Sequence, residues 1–192
     1  MIQYLVLLGA AVNIIGTSSY IRDTLRGLNQ PNRVTWLMWS IAPMIASAAG
    51  LSAGFSWVVL PIFMAGFCPF LVLLASFVNK KSYWQLKKLD YICGGLSALA
   101  LVLWLVTKEP IVAIIFAVLS DALAGLPTLK KSWQYPESES VSAYAAGLFN
   151  ALTSFAAVKT WAFTEIVFPS YLVLMCSSII FAIKRPRKLK TA

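Results

Sequence analysis

"VVLPIFMAGFC" at residues 58–68 returns as "IVFPSYLVLMC" at residues 166–176, which places Pro61 over Pro169 and Cys68 over Cys176, each 108 residues on. The same ungapped offset lays Asn13 on Asp121, Arg22 on Lys130, Thr24 on Ser132, Trp36 on Tyr144 and Phe55 on Phe163. A constant offset held over so long a stretch is the mark of an internal duplication. The fold then depends on what kind of element is duplicated.

Composition answers that. The 192 residues are 59% apolar and 12% charged, against about 25% charged in an ordinary soluble domain. Apolar segments at about 2–21, 34–50, 57–78, 90–107, 111–129, 140–158 and 164–183 each approach the ~20 residues a helix needs to cross ~30 Å of hydrocarbon. The chain reads as an all-α, polytopic membrane protein with seven spans. The first segment has no basic stretch ahead of it and is read as a retained span rather than a signal peptide. Cys68, Cys93 and Cys176 all fall inside these segments, which argues against a disulfide framework and a structural metal site.

The net charge of +9 does not point to nucleic acid, because the basic residues lie between spans. Arg22, Arg26 and Arg33 follow span 1. Lys80, Lys81, Lys87 and Lys88 follow span 3, Lys130 and Lys131 follow span 5, and Lys184, Arg185, Arg187, Lys188 and Lys190 form the tail. Only Lys108 and Lys159 fall on the opposite side, a division of 14 to 2. Basic loops stay in the cytoplasm, so the N-terminus is expected outside and the C-terminus inside, in a prokaryotic cytoplasmic membrane. The tail is expected to anchor that orientation. In "NKKSYWQLKKLD" (79–90), Tyr83 and Trp84 among lysines are expected to lie at the membrane surface.

The duplicated unit is three spans. Three is odd, so the fourth span restores the orientation of the second copy and makes the two copies parallel. The expected organisation is a first three-helix repeat with its loop at 1–88, a linker helix at 89–108 and a second repeat with its basic tail at 109–192. Parallel repeats related by an axis along the membrane normal place a pathway at their interface.

This 3+1+3 plan and the paired turns "SYIRDTLRGLNQPNRVTW" (19–36) and "LPTLKKSWQYPESESVSAY" (126–144) resemble the SWEET and PQ-loop superfamily over nearly the whole chain. The resemblance implies a small-solute transporter fold whose members carry sugars, amino acids or vitamins, while the similarly folded KDEL receptor binds a peptide signal. The family's Pro-Gln dipeptides correspond here to Ser19 and Tyr20 and to Pro127 and Thr128, so only the second proline is kept. The paired asparagines that contact sugar in the third span of each copy have no counterpart, and Cys68 and Cys176 are the matched polarisable pair.

Asn13, Cys68, Asp121, Asn150 and Cys176 all sit midway along their spans, so one substrate layer near the midplane is expected from these five. Each has a packing alternative: small cysteines let helices approach, and the asparagines can serve only as interhelical hydrogen-bond partners. Trp36 and Trp39, with Tyr144 opposite Trp36, are expected to gate the cytoplasmic side or else to belong to the interfacial belt. Pro43, Pro61, Pro127 and Pro169, with Pro69, lie in or at the edges of spans and are candidate hinges. A carboxylate at the depth of Asp121 costs about 2.5–3.5 kcal/mol on insertion scales. Low dielectric favours the neutral acid unless a cation partners it, so Asp121 is expected to exchange a proton. The alternatives are direct binding of a cationic substrate, or a protonated acid bonded to Asn13 or Asn150 for packing alone.

The expected function is transport of a small solute (a sugar, amino acid or other small metabolite) by alternating access, with protons as a second partner. The alternative is a non-transporting receptor or scaffold using the same cavity. The chain contains no histidine, no GxSxG and no phosphate-binding glycine loop, so neither an enzyme nor a bound metal or cofactor is expected. A homo-oligomer is left open. The charge division makes a direct prediction: a cysteine introduced at Thr191 reacts with an impermeant thiol reagent only from the cytoplasm, and one at Gln3 only from outside. Labelling of both from one face would refute seven spans.

Overall fold

The computed structural model describes residues 2–52, 57, 59–80, 82–107 and 109–186. Phe55, Lys81, Lys108, Arg187, Lys188, Lys190 and Thr191, used in the reading above, lie outside the described residues. Seven α-helices are found among the described residues: α1 (Ile2–Arg26), α2 (Arg33–Ser52), α3 (Val59–Val78), α4 (Lys88–Val106), α5 (Pro110–Gln134), α6 (Val141–Ser154) and α7 (Phe163–Lys184). Single 3₁₀ turns at Pro136–Ser138 and Phe155–Ala157 flank α6.

Local chemistry sets several of these ends. Gly27, at φ 81°, turns the chain at the end of α1, a left-handed conformation that suits a residue without a Cβ. Asn32 then caps α2, its Oδ1 accepting the N–H groups of Val34 at 3.1 Å and Thr35 at 3.4 Å. Its amide donates to Asp90 Oδ1 at 2.6 Å, while the other oxygen of Asp90 accepts the Lys87 N–H at the start of α4. Pro110 opens α5, a position where its missing N–H costs nothing.

α1, α3, α4 and α7 are each long and apolar enough to cross a membrane. The remaining three expected spans do not meet that description on their own. α6 has only 14 residues, while α2 buries Thr35, Ser40 and Ser47, and α5 buries Ser120, Asp121, Thr128, Lys131 and Ser132. Outward faces carry large apolar side chains such as Ile15, Phe77, Leu174 and Phe181. Polar groups inside and apolar groups outside suit a helical membrane protein.

In the packing, α3 lies against both α1 and α2, and α7 lies against both α5 and α6. Across these groups α1 packs on α6 and α2 on α5, while α4 contacts α5 and α2. The bounds of α1 and α5 stand at the duplication offset of 108 at both ends, as do the starts of α2 and α6. α1 and α5 both run past the segments read from the sequence because Thr24, Lys131 and Ser132 are buried and continue the inward face.

The described residues of the 79–90 segment are non-helical until Lys88, and its aromatics contact protein: the Arg33 guanidinium stacks 4.1 Å from the Tyr83 ring centre, and Trp84 lies 5.7 Å from Tyr135. Pro61 is no mid-helix joint. It is the third residue of α3, where the lost N–H has no intrahelical partner to forfeit. Pro43, Pro69, Pro127 and Pro169 do lie inside helices.

Gly16 allows α1 to approach α6: a Cβ there would sit 2.3 Å from the Ala146 Cβ and 2.6 Å from the Ser142 carbonyl oxygen. Gly16→Ala is expected to destabilise the purified protein by about 1–3 kcal/mol, read as a lower Tm in detergent. Gly95→Ala, with nothing within 4 Å of the added carbon, is expected to leave Tm unchanged or raise it. Equal behaviour of the two variants would mean that α1 and α6 do not cross at Gly16.

Candidate functional site

α1, α2, α3, α5, α6 and α7 each contribute a wall to a cavity of about 80 Å³ deep in the bundle. Asn13, Cys68, Asp121, Asn150 and Cys176 all line it. The structure therefore brings together the five residues that the depth argument put in one layer. Trp36, Trp39, Tyr144 and Pro43 line it as well. Pro69 lines it too, whereas Pro61 and Pro169 face a second, larger cavity and Pro127 is buried in α5.

Asp121 is held from two sides. Its Oδ2 accepts the Tyr171 hydroxyl at 2.7 Å, and its backbone carbonyl accepts the Trp39 indole N–H at 3.1 Å. The expected partners Asn13 and Asn150 are not the ones found. Asn150 instead donates to the Pro61 carbonyl at 3.3 Å, linking α6 to α3. Among the described residues no lysine or arginine lines the cavity, and the carboxylate meets a hydroxyl.

Tyr171 was not singled out in the sequence, yet the duplication carries a signal for it. Asp121 and Tyr171 correspond, 108 residues back, to Asn13 and Phe63. One copy has both the acid and the phenol; the other has neither. A pair that changes together between two copies of one unit is the pattern expected of two side chains in contact.

One end of the cavity is plugged. Trp36 and Trp39 meet edge to face at 5.5 Å, Tyr144 lies 6.0 Å from Trp36, and Tyr20 joins them at 5.1 Å from Trp36. Trp36 is 3% exposed and Tyr20 0%, which removes Trp36 from the interfacial belt and makes it part of a packed plug. Behind the rings, Glu139 Oε2 accepts the hydroxyls of Tyr20 at 2.6 Å and Tyr144 at 2.9 Å. Glu139 also forms an ion pair with Lys131. Lys131 is thus a buried partner of an acid, and not the free loop charge the sequence suggested.

The other end adjoins a larger cavity. A cavity of about 460 Å³ shares Pro43, Ala65, Asn150, Phe168 and Leu172 with the smaller one and reaches Lys159 and Glu165. Its walls are mostly apolar, with Asn150, Ser154 and Thr164 among its few polar groups. Glu165 is the carboxylate lining this larger cavity and Asp121 the one lining the smaller, among the described residues.

Comparison with known proteins finds no family model, curated relative or solved structure that matches this chain. Among the described residues there is no cluster of His, Cys, Asp or Glu able to hold a metal ion.

An intramolecular hydrogen bond contributes about 0.5–1.5 kcal/mol, and more when one partner is charged. Tyr171→Phe is therefore expected to lower thermal stability, and a double-mutant cycle with Asp121→Asn to return a coupling of about 1 kcal/mol or more. Additive losses would show that the phenol and the acid do not bond.

Proposed function

We propose that this protein is a small-solute transporter that alternates access between two parallel three-helix halves, α1–α3 and α5–α7, joined by α4. The observation that carries this reading is a cavity at the seam of the two halves, sealed at one end and continuous with a wide vestibule at the other. The packing is consistent with it: the third helix of each half lies against the first and second, and the halves meet through equivalent pairs, α1 with α6 and α2 with α5. It is the arrangement that the resemblance to the SWEET and PQ-loop superfamily implies.

On this reading the sealed end is cytoplasmic. The ends of α1, α3, α5 and α7 meet there: Asn79 donates to the Leu25 carbonyl at 2.9 Å, Ser82 to that of Asn29 at 2.7 Å and Arg185 to that of Trp133 at 2.6 Å. These are the loops that carry most of the basic residues, as the positive-inside rule requires of cytoplasmic loops. The structure is then the outward-facing state. The five residues around the small cavity form the substrate site, Trp36, Trp39 and Tyr144 its inner gate, and Pro43, Pro127 and Pro169 the candidate joints.

Asp121 acts as the proton carrier. Among the described residues it is the one aspartate or glutamate lining the small cavity, and on this reading it faces a single side in each state. Uptake by purified protein in liposomes, across sugars, amino acids and other small metabolites under an imposed pH gradient, tests this. The wild type is expected to accumulate its solute with the gradient. Asp121→Asn, which makes the two copies alike, is expected to lose accumulation while keeping exchange. Loss of both would make Asp121 a direct ligand of a cationic solute, and no change in either would exclude a role for it. Solute binding with no uptake would assign a receptor.

A further inference from the structure

The sealed end contains four buried polar side chains, of which the transport cycle above uses only Tyr144. Lys131 is 2% exposed, Glu139 7%, Tyr20 0% and Tyr144 3%. Lys131 and Glu139 belong to the second half, one at the end of α5 and the other in the loop before α6. Their partners reach across the seam: Tyr20 of α1 donates to Glu139 at 2.6 Å, and Lys131 donates to the carbonyl of Gln30 in the loop between α1 and α2.

Other polar bonds between the halves gather at the same end. Ser140 donates to Asp23 at 2.8 Å, the Gln30 N–H to the Ser138 carbonyl at 2.8 Å, Thr35 to the Ala124 carbonyl at 2.7 Å and Thr128 to Thr35 at 3.0 Å. At the vestibule end the bond from Asn150 to Pro61 spans the halves. The duplication supplies no second copy of the ion pair, since the residues matching Lys131 and Glu139 are Asp23 and Pro31.

We propose that Lys131, Glu139 and Tyr20 form the lock that holds the cytoplasmic gate shut, positioning Tyr144 and Trp36 across the cavity floor. On the transport reading above, opening separates Tyr20 from Glu139 and Lys131 from Gln30 while the ion pair stays within its own half. Water admitted by opening solvates both charges. Because a buried pair recovers hydration when it is wetted, the closed and open arrangements lie close in free energy, as a two-state element requires. Removing one charge leaves the other buried and unpaired in the closed state only. That shifts the balance toward open.

Side-specific thiol labelling reads this without any substrate, so failure of the lock and failure of uptake are separate results. In a Cys93→Ser background, the remaining thiols Cys68 and Cys176 both line the cavity. An impermeant thiol reagent is applied to oriented vesicles from either face. Applied at the cytoplasmic face, it is expected to label the parent slowly. Glu139→Gln is expected to raise that rate by about tenfold or more, a shift of roughly 1.4 kcal/mol in the gate equilibrium. Tyr20→Phe, which keeps the ring and loses one bond across the seam, is expected to raise it severalfold. Tyr20→Phe decides the matter if Glu139→Gln does not fold. Unchanged cytoplasmic labelling in the folded variants would overturn the proposal. An equal rise from both faces would also overturn it, since that reports loosening of the bundle instead of release of a gate.

Discussion

A polar side chain on a helix surrounded by hydrocarbon can be satisfied only by another part of the protein. Most of what positions this structure follows from that constraint. The buried Asn13, Thr17, Thr35, Asp121, Thr128, Lys131 and Asn150 face the seams between helices, where each sets limits on what may lie opposite. Thr35 fixes α2 against α5 through the Ala124 carbonyl, and Trp39 fixes it again through that of Asp121. Small residues admit the close approach these bonds need: Gly125 leaves room for Met175 and Trp39, and Gly16 for α6. The outward faces of the helices, by contrast, carry large aliphatic and aromatic side chains such as Ile15, Phe77 and Leu174.

Read as a duplication, the 108-residue offset accounts for a lopsided site. An acid and a phenol in one copy stand where the other has an amide and a phenyl ring, and a lysine and a glutamate stand where the other has Asp23 and Pro31. The scaffold positions are shared while the ionisable chemistry is concentrated in the second copy. A symmetric cavity with two such acids would place two negative charges within one small volume, which disfavours ionisation of both. One acid avoids that repulsion.

The helices were largely legible in the sequence, because runs of apolar residues near the length of a membrane crossing leave few alternatives. The layer of five residues was legible for the same reason: depth along a straight helix follows from counting. Direction around the helix does not. Counting placed Asn13 and Asn150 at the right height to meet Asp121, but the donor is Tyr171, two residues beyond the interior Pro169 of α7. The Lys131 pair escaped because Lys131 sits beside exposed Lys130 in what reads as a loop cluster, and its partner lies in a polar stretch with no periodicity. Trp36 reads equally well as belt or plug until the rings packed around it are seen.

The central claim is that two halves move about a shared cavity, with one end closing as the other opens. Spin labels at Arg22 and Lys130, exposed and equivalent positions near the sealed end, report on one side; labels at Tyr4 and Val112, also exposed and equivalent, report on the other. Pulsed dipolar distances in lipid at two pH values measure both gaps. The account predicts two populations that exchange in opposite senses, the first pair lengthening as the second shortens. A single unshifted distance for both pairs under all conditions would contradict it.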